Sequence, residues 1–302
     1  MTGEIKPAVS LVIIAAFGAA LGAQTPVPDN VQVTRDVQYC TGGGHPLLLD
    51  MYVPKDRGAN AVPAVLWIHG GGWRTGDKQN SALAVKLAAA GFVAASANYR
   101  LSGEAPFPAA IEDCKCAIRY LRANAAKYGI DPKRIGVAGG SAGGHLALLA
   151  GTADESAGLE GSGGWQSVSS RVGAIVSWYG PADFSVTHTA FERGRGPSII
   201  AFFGGAIDQK PETYRRASPI TWVTKDDPPL LLIHGVEDTT VPLDQSIRMA
   251  TAYRNAGLSV ELVKVEHAEH TFRPAGSEPI SPSMPKIMQM SVEFFKKHLG
   301  AN

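Results

Sequence analysis

The chain has 302 residues, of which 45% are hydrophobic and 18% charged, with 34 Gly and 20 Pro. This is a globular composition and excludes a disordered or fibrous chain. Lys and Arg number 28 against 27 Asp and Glu, a formal net charge of +1 with no clustered basic face, which argues against nucleic acid as a partner.

In chain order, the first feature is an apolar run from Ala8 to Leu21 that follows Lys6 and ends in the small residues Gly22 and Ala23. It reads as a signal peptide over 1–23, and so as an exported chain, secreted or periplasmic. The run is short for a membrane span, although Glu4 and Leu21 depart from the usual pattern and leave an uncleaved N-terminal anchor as the alternative. Val31–Tyr39, a turn at Gly42–Gly44 and Leu47–Val53 predict an antiparallel hairpin at a sheet edge. Beyond it, short apolar strands are expected at Ala64–Ile68, Phe92–Ala97, Arg134–Ala138, Val172–Trp178, Leu230–Ile233 and Ser259–Val265. Helices are expected between and after them, at Ser81–Ala90, Ala109–Tyr128, Ala142–Gly151, Leu243–Ala256 and Pro285–His298. Alternation of this kind predicts one α/β domain over 31–302, a mostly parallel central sheet with helices on both faces, and chemistry at the carboxyl ends of the strands.

The stretch 181–223 breaks that rhythm and is expected to be a small cap or pocket insertion over the strand ends. Phe184, Phe191, Phe202, Phe203 and Trp222 are candidates to line the pocket, the plainer reading being that they are core. The three cysteines leave at least one thiol unpaired within the chain. Cys114 and Cys116 face different sides of a predicted helix and do not bridge each other; Cys40 is free to pair with either, or all three are buried thiols.

Gly139-Gly140-Ser141-Ala142-Gly143-Gly144 lies between a predicted strand and a predicted helix. G-x-S-x-G at such a turn is a nucleophile elbow, tight enough to need its glycines, and it marks the α/β-hydrolase fold. His69-Gly70-Gly71-Gly72-Trp73 follows the strand Ala64–Ile68, as an oxyanion loop does, so Gly71, Gly72 and Ala142 are the expected backbone donors. The base belongs after the last strand and the acid after the one before it. That selects His270 over His267, and Asp238 over its rivals Glu237 and Asp244. His145 and His69 read as structural. No zinc-binding or phosphate-loop spacing is present, so no metal and no cofactor are expected.

The segments HGGGW, NYRLS (Asn98–Ser102), FPAAIEDCKCAIRYLR (Phe107–Arg122), YGIDPKRIGVAGGSAGGHLA (Tyr128–Ala147), ASPITWV (Ala217–Val223) and LLLIHGVEDTTVP (Leu230–Pro242) resemble the bacterial α/β-hydrolase esterase/lipase family. The resemblance is to its bifunctional feruloyl/acetylxylan esterase-like branch, related to the hormone-sensitive-lipase-type esterases. It implies Ser141 as nucleophile, Asp238 as acid, His270 as base and an HGGG oxyanion loop. Gly140 stands where the hormone-sensitive-lipase types carry Asp, and His267-Ala268-Glu269-His270-Thr271-Phe272 departs from the family's G-A-G-H-G-F. The implied activity is hydrolysis of short-chain acyl esters or of acetyl or feruloyl esters of the plant cell wall, small or polysaccharide-linked. An amide hydrolase of formamidase or prolyl-peptidase type, and a non-catalytic binding module, are the competing readings. The sequence does not set an oligomeric state.

Overall fold

The computed structural model describes residues 26–58, 60–185 and 197–300. The expected signal segment, Phe191 and residues 193–196 lie outside them. Eight strands form one sheet: β1 (Val31–Gly42), β2 (His45–Pro54), β3 (Val62–Ile68), β4 (Val93–Ala97), β5 (Ile130–Gly140), β6 (Ala174–Trp178), β7 (Leu230–Gly235) and β8 (Val260–Val265). Their order is β1-β2-β4-β3-β5-β6-β7-β8. The β1–β2 and β2–β4 pairs are antiparallel and every later pair is parallel. This is the expected edge hairpin on a parallel sheet, and the fold is that of the α/β-hydrolases.

Eight α-helices complete the described residues: α1 (Ala82–Ala89), α2 (Ala109–Ala123), α3 (Ala125–Tyr128), α4 (Ala142–Thr152), α5 (Pro197–Phe203), α6 (Pro211–Ala217), α7 (Asp244–Asn255) and α8 (Met284–Leu299). Among the described residues none is long and apolar enough to cross a membrane. Two cores flank the sheet because neighbouring strand residues point to opposite faces. Leu66 and Ile68 of β3 join Ile118 of α2, Leu146 of α4 and Met249 of α7. Val65 and Trp67 join Leu87 of α1 and Phe295 of α8 on the other side. Both faces are covered, which is why the central strands read as unbroken apolar runs.

The helix expected over Ala109–Tyr128 is broken. Asn124 leaves helical geometry (φ −101°, ψ 19°), and its side-chain amide donates to the Tyr120 carbonyl oxygen at 3.0 Å. The Asn124 N–H donates to the same carbonyl at 3.0 Å, so the break between α2 and α3 is one residue long. The 181–223 stretch holds α5, α6 and a short 3-10 turn at Pro219–Trp222. Cys40 of β1 is disulfide-bonded to Cys116 of α2, with Cα atoms 6.4 Å apart, and Cys114 is a buried free thiol.

Candidate active site

Ser141 is the single residue between β5 and α4, at φ 56° and ψ −120°. A non-glycine residue in that region is strained, and here the surroundings enforce it. The turn is closed by Ser141 N–H donating to the Trp178 carbonyl at 2.9 Å and by His145 N–H donating to the Ser141 carbonyl at 2.9 Å. The glycines are required sterically. A Cβ at Gly139 would lie 2.2 Å from the Gly143 carbonyl oxygen, and one at Gly143 would lie 2.1 Å from that of Ile68.

Three elements far apart in sequence meet at this turn. Ser141 Oγ lies 2.9 Å from His270 Nε2, and His270 Nδ1 lies 2.7 Å from Asp238 Oδ2. The side chain of Asp238 is fully buried and that of His270 is 13% exposed. The other carboxylate oxygen of Asp238 accepts from the amides of Thr240 (2.9 Å) and Val241 (2.8 Å). Burial pushes the Asp238 carboxyl up, but the hydrogen bonds from His234 and His270, the charge of His270 and the Val241 amide outweigh it and hold the pKa at about 2. The group is therefore ionised and aimed at His270.

The rivals face elsewhere. His267 is half-exposed, with Nε2 3.0 Å from Glu278 and Nδ1 4.0 Å from Glu237, so both it and Glu237 are spent at the surface. Asp244 binds Arg248 Nε at 2.6 Å one turn along α7.

The Gly-rich loop after β3 packs against the elbow. A Cβ on Gly70 would lie 2.8 Å from the Gly140 carbonyl oxygen and 3.3 Å from Ser141 Cβ. Gly71 (φ 113°) and Gly72 (φ 60°) occupy conformations that side chains resist, and the Gly71 carbonyl accepts from the amides of Arg74 and Thr75. Among the described residues the amides of Gly71 and Gly72 donate to no protein acceptor. Ala142 N–H, first in α4, has no partner a turn earlier in the helix.

His69 donates Nδ1–H to the Gly70 carbonyl at 2.8 Å and stacks on Tyr99. His145 accepts from Trp73 Nε1 at 3.1 Å on Nδ1, so its proton sits on Nε2 and goes to the Ala217 carbonyl at 2.7 Å. Burial lowers its pKa to about 4 and keeps it neutral. Both histidines are held by structural contacts: His145 ties the Gly-rich loop to the end of α6. Trp73 also stacks on Phe202 at 4.4 Å, and Phe184 and Phe203 complete this buried cluster beside the loop. Trp222 is partly buried against the same core and donates to the Arg216 carbonyl at 2.8 Å.

Two residues of the site were not singled out by sequence. His234, at the end of β7, is fully buried. Its Nε2 donates to the Val241 carbonyl at 2.8 Å and lies 3.4 Å from Asp238 Oδ2, while Nδ1 meets Ser246 Oγ at 2.7 Å. Tyr179 (φ 40°) follows β6 and sets its ring edge-to-face on His270, with centroids 5.0 Å apart. Their position at the carboxyl ends of the neighbouring strands β6 and β7 was the available signal.

A family model, BD-FAE, matches residues 49–253. Esterase LipC of Mycobacterium tuberculosis (strain ATCC 25618 / H37Rv) is 37% identical over 235 residues, which are 74% of this chain and 57% of LipC. The chain thus spans just over half the length of this curated relative. Among solved structures, a truncated form of a carbohydrate esterase from gut microbiota is 31% identical with a TM-score of 0.75, covering 91% of this chain and 99% of that one. Est2, an esterase of the Planctomycetes species Thermogutta terrifontis solved with propionate bound, is 27% identical with a TM-score of 0.73, over 89% of this chain and 94% of that one.

Proposed function

The chain belongs to the BD-FAE family, and on that premise we propose that it is a serine carboxylic-ester hydrolase whose nucleophile, base and acid are Ser141, His270 and Asp238. The observation that carries the reading is the continuous relay from Ser141 Oγ through His270 to the ionised Asp238, at 2.9 and 2.7 Å.

His270 Nε2 takes the Ser141 proton as Oγ attacks the ester carbonyl carbon. Asp238 holds the imidazole with Nε2 facing the serine and stabilises the imidazolium. The carbonyl oxygen, now an oxyanion, accepts from the amides of Gly71, Gly72 and Ala142. His270 then protonates the departing alcohol, leaving the acyl group on Ser141. A water that gives its proton to His270 attacks that acyl-enzyme, and His270 passes the proton to Ser141 Oγ as the acid is released. No step asks for a cofactor.

Short-chain acyl esters, or acetyl or feruloyl esters of plant cell-wall material, are the proposed substrates. The propionate on Est2 and the carbohydrate esterase among the similar structures support this, as do the buried rings of Trp73, Phe184 and Phe202, which fill the space beside the loop. We also propose that 181–223 caps the site and that the chain is exported. The Cys40–Cys116 disulfide suits an oxidising compartment.

A fluorophosphonate probe followed by peptide mass analysis tests the nucleophile. The expected adduct is on Ser141, and its rate of formation falls steeply in His270→Ala. An adduct on another residue, or labelling indifferent to His270, contradicts the assignment.

A further inference from the structure

A cavity of about 470 Å³ opens between the turn of the β1–β2 hairpin and the loop after β4. Its size falls within the range of about 300–1,000 Å³ usual for small-molecule sites. His69 and Gly76 line it on one side. Gly70, the residue after His69, is the one whose Cβ would touch Ser141. With consecutive Cα atoms about 3.8 Å apart, this wall lies roughly 10 Å from the serine. The Gly-rich loop thus reaches both the nucleophile and the cavity.

The chemistry of the cavity is specific. Arg100 is clamped by Asp113, which accepts from Nε and Nη2 at 2.7–3.1 Å, so its charge is neutralised in place and Nη1 is left without a partner among the described residues. Glu104 spends Oε2 on the Leu101 amide and leaves Oε1 open. The exposed His45 ring makes no hydrogen bond among the described residues. Between these groups lie the partly exposed apolar side chains of Leu48 and Leu101. The walls are held in advance, with Tyr99 Oη donating to the His69 carbonyl at 3.1 Å and Asn98 Oδ1 accepting from the Lys78 amide at 2.6 Å. Such a site does not select a strong anion, because its arginine is already paired. Open donors and acceptors around an apolar floor fit a neutral ligand with hydroxyl edges and apolar faces.

We propose that this cavity is a subsite for a neutral oligosaccharide, holding sugar units next to the one whose ester is cleaved. The assignment rests on the esterase reading of Ser141 for its role in turnover, but binding itself does not. Two variants test it in the full-length chain. Ala105→Trp fills the cavity, and His45→Ala combined with Glu104→Ala removes two of its polar side chains, the second of which also holds the Leu101 amide. On an acetylated xylo-oligosaccharide, kcat/KM is expected to fall by about tenfold or more in both, through the filled space in the first and the loss of two hydrogen bonds in the second. On p-nitrophenyl acetate, which has no sugar to place, it is expected to stay within about twofold. Titration calorimetry with unesterified xylohexaose should show binding to the parent chain that both variants weaken. Equal loss on both substrates, no loss on either, or no xylohexaose binding by the parent chain overturns the subsite. A chain that binds xylohexaose in this manner but hydrolyses no ester keeps the subsite and contradicts the esterase reading instead.

Discussion

His234 shares the Asp238 carboxylate with His270, although no direct contact joins it to Ser141. Its Nε2–H divides between the Val241 carbonyl and Asp238 Oδ2, so it fixes the turn that supplies the amides bound to Oδ1. His234→Ala leaves a buried carboxylate one donor short. Hydrogen bonds to charged groups contribute about 1.5–3 kcal/mol, so kcat should fall by about tenfold or more with KM little changed. Steady-state kinetics on a soluble ester checks this; a rise in KM at constant kcat would contradict the positioning role. His145 has a different consequence. Burial holds its pKa at about 4 against an ordinary value of 6.5. The unfolded chain takes up the proton first, so the stability from keeping His145 neutral is complete above about pH 6.5 and is lost as pH falls towards 4. The upper limit is about 3 kcal/mol. His69, lowered by burial, acts in the same sense, and Asp227, raised to about 6 by burial, acts in the opposite one. The difference between parent and His145→Gln isolates the term. Thermal melts from pH 7 to 4.5 should fall less steeply for the variant; parallel curves would count against a neutral His145.

At the scale of elements, the disulfide closes a loop over a sequence separation of 76, from the edge strand β1 to α2. Loop-closure entropy over that length corresponds to about 4 kcal/mol. Cys40→Ser with Cys116→Ser should lower Tm by about 8 °C or more, whereas Cys114→Ser, which leaves the bridge intact, should lower it less. An unchanged Tm in the double variant would show that the bridge does not stabilise the fold. The spacing of the cysteines left the partner of Cys40 open, because two residues on one helix are separated only by the face they present. Elements defined by periodicity were legible: the elbow, the Gly-rich loop and the parallel strands sit where the pattern put them. Element ends were not. α2 stops at Ala123 and α3 follows after Asn124, and β5 begins at Ile130, ahead of the expected Arg134, because Val62 pairs with Ile130 before the register shifts to Ala64–Ile135.

At the scale of the whole molecule, the sheet order places the ends of β5, β7 and β8 along one edge, and the three residues of the relay follow those strands. The chain order Ser141, Asp238, His270 made that arrangement legible without coordinates, since from β5 onward order in sequence is order across the sheet. His234 and Tyr179 escaped because their roles depend on which way a side chain turns after its strand. The most direct test of the account is hydrolysis of p-nitrophenyl acetate, butyrate, octanoate and palmitate by the parent chain beside Ser141→Ala. The account predicts turnover that is fastest on the short acyl esters and removed almost entirely in Ser141→Ala. A well-folded parent chain with no ester turnover, or turnover unchanged by the substitution, would contradict it.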